Sequence, residues 1–251
     1  MWQESSHNIK TFPVYANGTN VPEPAIIEYV EPGSIGEDLG CEPGDQLLSV
    51  NGIKPRDLID YKLLIVEEIL DLEILGKEGT LHKINIEKEP DEGLGLVFTE
   101  ALFDGLKQCN NKCSFCFIDQ QPTGQRKSLY LKDDDYRMSF LYGSYLTLTN
   151  LNKNDWFRIE NQRLSPLFVS VHATEPSIRR KLLKNPSAGL ILEQIKWFSK
   201  RNLQIHAQIV VCPRINDGST LEKTLKDLFL YSQGEFPTIL SAAVVPVGLT
   251  K

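Results

Sequence analysis

The sequence has 251 residues, of which 41% are hydrophobic and 24% charged, a composition typical of a soluble globular protein with one or two domains. Its net charge of −6 gives no electrostatic reason to expect nucleic acid as a partner. No run approaches the ~20 apolar residues of a membrane helix, and the first ten residues lack the pattern of a signal peptide. We therefore expect a cytoplasmic protein without a membrane partner.

The first 98 residues predict a polar lead-in followed by a small β-rich domain. Residues 1–21 have no periodicity and are expected to form a flexible segment. Residues 22–98 alternate short apolar runs with turn signals, among which Asn51-Gly52 is the strongest. The predicted strands cover residues 25–30, 46–50 and 81–87, and the predicted helices cover 35–39 and 57–70.

The run VEPGSIGEDLGCEPGDQLLSVNG, residues 30–52, resembles bacterial PDZ domains, where the same turns follow in the same order. The resemblance implies that an extended peptide or protein partner binds by strand addition, with residues 93–96 as the carboxylate-binding loop. The alternative is a structural cap that binds nothing. Cys41 is expected to be a packing residue.

Three of the five cysteines, Cys109, Cys113 and Cys116, lie within eight residues with C-x3-C-x2-C spacing. Their odd number argues against a disulfide framework and favours a metal centre. Iron–sulfur clusters usually take four thiolates, so three would leave one iron without a protein ligand, where a small molecule can bind.

The cysteine triplet is also compatible with a zinc site. Such a site needs four ligands, and the fourth would have to come from the distant His172, His206 or Cys212. The triplet could instead be a chance group of packed core thiols, or belong to a descendant that has lost its cluster.

After the cysteines, residues 117–137 form a long polar stretch without a helical stripe. We expect a lid or substrate loop beside the metal centre, in which Asp134 and Arg137 are the candidate catalytic residues. The alternative is a solvated surface excursion, which charged runs usually are.

From residue 145 onward the pattern alternates strand and helix, which predicts a parallel sheet. The predicted strands cover residues 145–150, 167–172, 204–211 and 239–245, and the predicted helices cover 154–164, 176–183, 188–201 and 220–231.

Three of these strands carry polar side chains on one face and apolar ones on the other. The polar faces contain Thr147, Thr149, Ser170, His172, His206, Gln208 and Cys212. Because parallel strands covered on both sides are almost wholly apolar, this pattern favours a barrel or partial barrel around a wet cavity. The alternative is that each polar group caps a nearby backbone group. Asn150, His172 and Cys212 fall at strand ends, where barrel enzymes place their active groups.

The cysteine spacing, with Phe115 before the last cysteine, resembles the cluster loop of radical S-adenosylmethionine (radical SAM) enzymes. The resemblance implies an α/β fold in which residues 99–251 form a partial TIM barrel of about five βα units. It also implies that Cys109, Cys113 and Cys116 hold a [4Fe–4S] cluster, which takes electrons from a reductase, ferredoxin or flavodoxin. S-adenosylmethionine would bind the open iron, with Phe115 beside its adenine.

The same resemblance assigns further cofactor contacts. Thr149 and Asn150 occupy the strand end where many members have a Gly-Gly-Glu that grips the methionine amino group; this sequence has no such motif. Ser170, His172 and Gln208 are the candidate ribose or carboxylate contacts.

The whole arrangement (CNNKCSFCFIDQ, KDDDYR, SVHATEP, CPRINDG) is similar to PDZ-bearing iron–sulfur proteins described as oxidoreductases. They are distantly similar to nitrogenase-cofactor and molybdopterin maturases. Their barrel has six strands and a further C-terminal domain, whereas this sequence reaches Lys251 just after the fifth strand. We expect either a truncated copy or a second polypeptide that completes the barrel.

Three functional hypotheses follow. The first is a radical SAM enzyme that cleaves S-adenosylmethionine reductively and acts on a substrate that the sequence does not identify. The second is a PDZ-based iron–sulfur scaffold or maturation factor that does not cleave S-adenosylmethionine. The third is a zinc-bound adaptor.

Overall fold

The computed structural model describes residues 25–248, and the chain divides into two compact units between Gly105 and Leu106. The predicted flexible segment, residues 1–21, lies outside the described residues, as do residues 22–24 at the start of the predicted β-rich domain. Within the described residues, no helix is long and apolar enough to cross a membrane.

The first unit is an antiparallel five-stranded sheet with two short helices. The elements are β1 (Ala25–Val30), α1 (Ile35–Asp38), β2 (Gln46–Val50), α2 (Leu58–Leu64), β3 (Ile69–Leu75), β4 (Leu81–Glu87) and β5 (Leu96–Phe98). The strands follow the order β4-β3-β2-β1-β5 across the sheet.

Local sequence signals explain most of these elements. Asn51 and Gly52 have φ values of 51° and 72°, the left-handed pair that a tight hairpin-type turn needs after β2. Asp57 begins α2 by accepting hydrogen bonds from the N–H groups of Ile59 and Asp60. Cys41 packs against the core of the unit, as expected.

The predicted helix 57–70 is wrong in its second half. The helix α2 ends at Leu64, and strand β3 begins at Ile69. Leu70, Leu72 and Ile74 are buried, while the acidic residues between them point away from the core. This alternation of period two is a strand signal that lies directly behind a helical one, which is why the boundary was missed.

The loop before β5 is held against α1 by a close backbone approach. Gly95 has a φ of 68°, and a Cβ atom there would stand 2.2 Å from the Cβ of Ser34. The carbonyl groups of Leu94 and Gly95 accept hydrogen bonds from Gly36 N and Glu31 N at 2.8 and 2.9 Å. Only glycine fits this position.

The second unit is an α/β arrangement around a parallel sheet, as predicted. In it β7 lies between β6 and β8, and all neighbours are parallel. The elements are α3 (Tyr136–Tyr142), α4 (Lys153–Asn161), β6 (Leu167–Ser170), α5 (Pro176–Leu183), α6 (Ile191–Ser199), β7 (Ile205–Val211), α7 (Gly218–Phe229) and β8 (Ile239–Pro246).

The predicted strand 145–150 is wrong as a full strand. Only Leu146 pairs with β6, through a single parallel bridge to Val169. The backbone then bends, because Leu148 adopts a φ of 60° that no strand contains. Leu146 and Leu148 are nevertheless buried, so their side chains belong to the core as predicted. Among the described residues the parallel sheet has three strands, and a partial barrel stays a prediction.

Two helical predictions also need correction. The stretch 117–137 is not free of helix, because α3 begins at Tyr136 where Asp135 caps it by accepting from Arg137 N. The predicted helix 188–201 is a 3₁₀ turn, Pro186–Leu190, followed by the shorter α6. The cap residue Asp135 sets the boundary in the first case, and the 3₁₀ turn sets it in the second.

The first prediction concerns the glycine that brings the loop against α1. We expect Gly95→Ala to destabilise the first unit by at least about 2 kcal/mol, because an L-residue is strained at this φ and its Cβ collides with Ser34. Amide hydrogen exchange in β1 and β5 measures the loss. The control is Gly93→Ala, where the added methyl group meets nothing within 4 Å. Equal protection in both variants would contradict the prediction.

Candidate functional site

The loop that carries the three cysteines, residues 109–116, is tied to the second unit at two points. The N–H of Cys109 donates to Lys132 O at 2.8 Å, and the N–H of Lys112 donates to Leu183 O at 3.0 Å. Leu183 is the last residue of α5, so the loop is held at a helix end as well as at the polar stretch before α3.

All three sulfurs of this loop are free, half-buried thiols. Burial raises the pKa of the Cys109 thiol. Burial also raises the pKa of Cys113 to about 12; negative charge on Cys109 and Cys116 adds to this shift, whereas the Lys132 ammonium opposes it. Because burial favours the protonated form of Cys109 and Cys113, a metal would have to displace protons to bind these sulfurs.

The thiol loop suits a metal centre by its donor chemistry rather than by a preformed shape. Residues 25–248 contain no group of three or more His, Cys, Asp or Glu side chains gathered closely enough to hold a metal ion. Three soft thiol donors on one anchored loop are the ligands that iron–sulfur clusters use. Binding such a cluster requires the three side chains to draw together.

An aromatic contact flanks the loop. The ring of Phe115 meets the imidazole of His172 edge-on, with 5.0 Å between centroids. Val210 N donates to His172 Nδ1 at 3.2 Å, which leaves the proton of the neutral ring on Nε2. Burial, with the positive charge of Arg179, lowers the pKa of His172 to about 3. His172 is therefore a neutral hydrogen-bond donor at physiological pH.

Cys212 lies in the same apolar cluster as Cys113 and Phe115. The buried amide of Asn216 holds this strand end, because its Oδ1 accepts from Cys212 N at 2.7 Å and its Nδ2 donates to His172 O at 2.8 Å. The structure thus brings the end of β7 to the second cysteine of the loop, as the strand-end argument predicted.

A polar network lies beside the first cysteine. The carboxylate of Asp134 accepts from Thr147 N at 2.5 Å and from Thr147 Oγ1 at 2.6 Å. Thr149 Oγ1 lies 2.8 Å from Thr147 Oγ1 and 3.1 Å from the side-chain oxygen of Asn111. Burial raises the pKa of Asp134, while its hydrogen bonds from Thr147 oppose that shift. Thr147 and Thr149 share one side, although the backbone between them is not a strand.

Asn150 borders this network with one polar atom that is not satisfied. Its Nδ2 donates to Gln108 O at 3.1 Å and to Asp134 O at 3.0 Å. Its Oδ1 is buried, and no other atom of the described chain hydrogen-bonds to it. A buried acceptor without a donor costs free energy, so this oxygen marks a place where a ligand donor would be stabilising.

The two candidate catalytic residues lie in different surroundings. Asp134 belongs to the polar network, whereas Arg137 forms a buried ion pair with Asp135, Nη2 to Oδ2 at 2.7 Å. Asp135 also accepts from Lys107 N at 2.9 Å, which fixes the chain just before the cysteine loop. Asp134 and Arg137 are both almost fully buried, at 1% and 5% exposure. Their contacts stabilise the backbone on either side of the thiols.

Ser170 and Gln208 are register partners in the parallel pair β6–β7. Gln208 O accepts from Val171 N at 2.8 Å and from His172 N at 3.2 Å, so the chain turns at the end of β6. From Ile205 to Ile209 in β7 the polar residues are half-buried and the apolar ones buried, which confirms the predicted alternation there, whereas Val210 and Val211 are half-buried.

Arg179 in α5 connects these parts and was not predicted. Its guanidinium is fully buried and donates to four backbone carbonyls: Thr147 O, Ser170 O, Val171 O and Ala188 O at 2.7 to 2.9 Å. Burial lowers its pKa to about 10, so it remains charged at neutral pH. An arginine in an amphipathic helix is usually solvated, and the sequence gives no signal of this role.

Asn111 and Asn185 were also missed. Asn111 Nδ2 donates to Cys109 Sγ at 3.3 Å, and Asn185 Nδ2 donates to Asn111 Oδ1 at 2.8 Å. The Asn-Asn pair inside the cysteine loop was a visible signal for the first of these residues, while nothing near Asn185 pointed to the second.

Comparison with known families identifies the two units. The family model described as a radical SAM-like domain matches residues 88–236, and the chain belongs to this family. A PDZ domain model matches residues 26–74, so the chain combines both domains, as the sequence predicted. Among solved structures it matches the PDZ domain of an SdrC-like protein from Listeria innocua, with TM-score 0.27, 11% identity, and coverage of 32% of this chain and 99% of that one.

We expect Arg179→Met to destabilise the second unit by at least about 3 kcal/mol, because four backbone carbonyls lose the guanidinium as a hydrogen-bond donor. Denaturant unfolding followed by the fluorescence of Trp156 and Trp197 reports on this unit. The matched control is Arg180→Met at the exposed neighbouring position, which should change stability by no more than about 0.5 kcal/mol. Similar losses in both variants would refute the role assigned to Arg179.

His172 predicts a pH dependence of stability. Its folded pKa is about 3 and its unfolded pKa about 6.5, so between these values the unfolded chain binds the extra proton. Stability should therefore fall as the pH drops from about 6.5, by up to about 1.4 kcal/mol per pH unit. Asparagine tolerates the φ of 62° at this position and retains an acceptor for Val210 N. In His172→Asn the dependence of stability on pH should therefore lose the contribution of His172. If the unfolding free energy of His172→Asn changed with pH between 4 and 6 as steeply as that of the wild type, the prediction would be contradicted.

Proposed function

We propose that this protein is a radical SAM enzyme whose cluster is held by Cys109, Cys113 and Cys116. The observation that carries the proposal is the anchored loop of three free thiols beside Phe115 and His172, in a chain that belongs to the radical SAM-like family. When bound, a [4Fe–4S] cluster supplies the electron that cleaves S-adenosylmethionine to a 5′-deoxyadenosyl radical. The protein binds, orients and shields the reactants.

Three features of the chain suit it to hold S-adenosylmethionine. The unpartnered Oδ1 of Asn150 can accept from the methionine amino group. Thr149 is hydrogen-bonded to Asn111 and Thr147, so it fixes the neighbouring backbone and offers its hydroxyl to the same amino group. Phe115 presents an apolar ring for the adenine, since aromatic faces stack on bases.

The neutral imidazole of His172 donates through Nε2, which suits a ribose hydroxyl or carboxylate oxygen. Ser170 and Gln208, register partners on the neighbouring strands, are the other polar groups assigned to this part of the ligand. In this proposal Asp134 and Arg137 hold neighbouring residues in place. Asp134 orients Thr147, and Arg137 secures Asp135 below the start of the thiol loop.

The proposal includes partners. One-electron chemistry needs an external donor of the reductase, ferredoxin or flavodoxin type, and an oxidoreductase reaction on a further substrate would follow. In the PDZ domain, β5 is one of the two edge strands of the five-stranded sheet and begins at Leu96, the last residue of the predicted carboxylate-binding loop, so an extended peptide can add there. Such a peptide would protect the amides of β5 from hydrogen exchange. If no peptide does so, the proposal of peptide binding by strand addition fails.

Anaerobic reconstitution with iron and sulfide tests the enzyme proposal. The wild-type chain should bind about four iron and four sulfide ions per molecule and, with dithionite, form 5′-deoxyadenosine from S-adenosylmethionine. Cys113→Ala should lose both properties, whereas Cys41→Ala in the first unit should retain them. A cluster that forms without any 5′-deoxyadenosine would favour the scaffold or maturation factor. Tight zinc binding without iron uptake would refute the proposal.

The same preparation tests Asn150. Asn150→Leu should load a full cluster but bind S-adenosylmethionine at least about tenfold more weakly, because the buried acceptor is lost. Asn154→Leu, at an exposed position in α4, is the matched control and should bind like the wild type. Equal affinities of all three proteins would exclude Asn150 as a contact.

A further inference from the structure

We propose that Asn111 is a positioning residue for the cluster, whose side-chain amide donates an N–H···S hydrogen bond to Cys109 and raises the reduction potential of a cluster held there. The inference rests on the proposed function, because it concerns the electronic properties of that cluster. It assigns a role to a residue inside the loop that is not itself a ligand.

The amide of Asn111 is buried and has polar partners at both of its atoms. Nδ2 donates to Cys109 Sγ at 3.3 Å and to Thr147 Oγ1 at 2.9 Å. Oδ1 accepts from Asn185 Nδ2 at 2.8 Å and lies 3.1 Å from Thr149 Oγ1. Three of these partners are independent of the sulfur, so the amide is held in place whether or not Cys109 carries a metal.

The orientation of this amide follows from a backbone donor. Ser187 N donates to Asn185 Oδ1 at 2.9 Å, and a backbone N–H can only donate. Asn185 therefore turns its NH₂ group toward the cysteine loop. The Asn111 atom that faces Asn185 must then be the oxygen, which leaves the NH₂ group of Asn111 facing Cys109.

A second anchor leads to the same orientation. An ionised Asp134 only accepts, so Thr147 donates its hydroxyl hydrogen to that carboxylate. The Thr147 oxygen can then only accept from Asn111, which again must present its NH₂ group on that side. Two separate constraints thus aim an N–H at the sulfur of the first cysteine.

A donor aimed at a cysteine sulfur changes the energetics of its cluster. Reduction adds negative charge that is partly carried by the sulfurs, and an N–H donor stabilises that charge. The neighbouring Asn110 provides a contrast within the same loop. Its Oδ1 also accepts from Asn185 Nδ2 at 2.9 Å and lies 3.2 Å from Thr149 Oγ1, but its described hydrogen bonds include none to a sulfur.

The test is an EPR-monitored redox titration of the reconstituted full chain, comparing wild type, Asn111→Leu and Asn110→Leu. We expect Asn111→Leu to lower the midpoint potential by about 59 mV, a tenfold change in a one-electron equilibrium. Asn110→Leu should retain the wild-type potential. An unchanged potential in Asn111→Leu, or an equal shift in both variants, would overturn the inference.

A measurement on the unmutated protein covers the case in which Asn111→Leu does not fold. Protein labelled with ¹⁵N only at asparagine side-chain amides should show a weak ¹⁵N coupling to the reduced cluster in pulsed EPR. Absence of that coupling in a loaded wild-type cluster would overturn the role of Asn111. If the wild type assembles no cluster, the proposed function fails first, and the role of Asn111 fails with it.

Discussion

The radical SAM-like unit depends on one buried cation. Placing the charge of Arg179 in the interior is costly, and the structure compensates with four backbone carbonyls from three different segments. These carbonyls belong to the bend at Thr147, the end of β6 and the 3₁₀ turn before α6. One side chain thus fixes the relative positions of segments that are far apart in the sequence.

The site follows from this constraint. The Thr147 backbone held by Arg179 carries the hydroxyl that Asp134 and Asn111 share, and Asn111 reaches Cys109. Arg179 also attracts the negative charge of Asp134 and Cys113, so this cation would stabilise a loop that becomes anionic on binding a cluster. The polar network contacts the first cysteine through Asn111.

Periodicity and motif predicted the parts of this molecule that depend on local sequence. The strands β1, β2, β4 and β7, the helix α5, and the apolar positions Leu146 and Leu148 all follow from alternation or caps that are readable in the chain. The cysteine triplet and the PDZ turns predicted the two domain families, which the family models confirm.

The parts that the sequence could not predict depend on contacts between distant residues. The bend at Leu148 is a left-handed conformation at a residue that ordinarily favours extended or helical backbone, and it exists because surrounding contacts hold it. Arg179 and Asn185 each contact a partner more than thirty residues away, Thr147 and Asn111, so no local pattern reveals these contacts. Asp134, predicted as a catalytic residue, is almost fully buried and hydrogen-bonded to Thr147, and its catalytic role stays a prediction.

The central claim is that three thiols hold a cluster with one iron open to S-adenosylmethionine. The most direct measurement is electron–nuclear double resonance of the reduced, reconstituted protein with S-adenosylmethionine labelled with ¹⁵N at the amino group and ¹⁷O at the carboxylate. We predict couplings from both labels, because the methionine end binds the open iron. A reduced cluster whose spectrum is identical with and without the labelled compound would contradict the account.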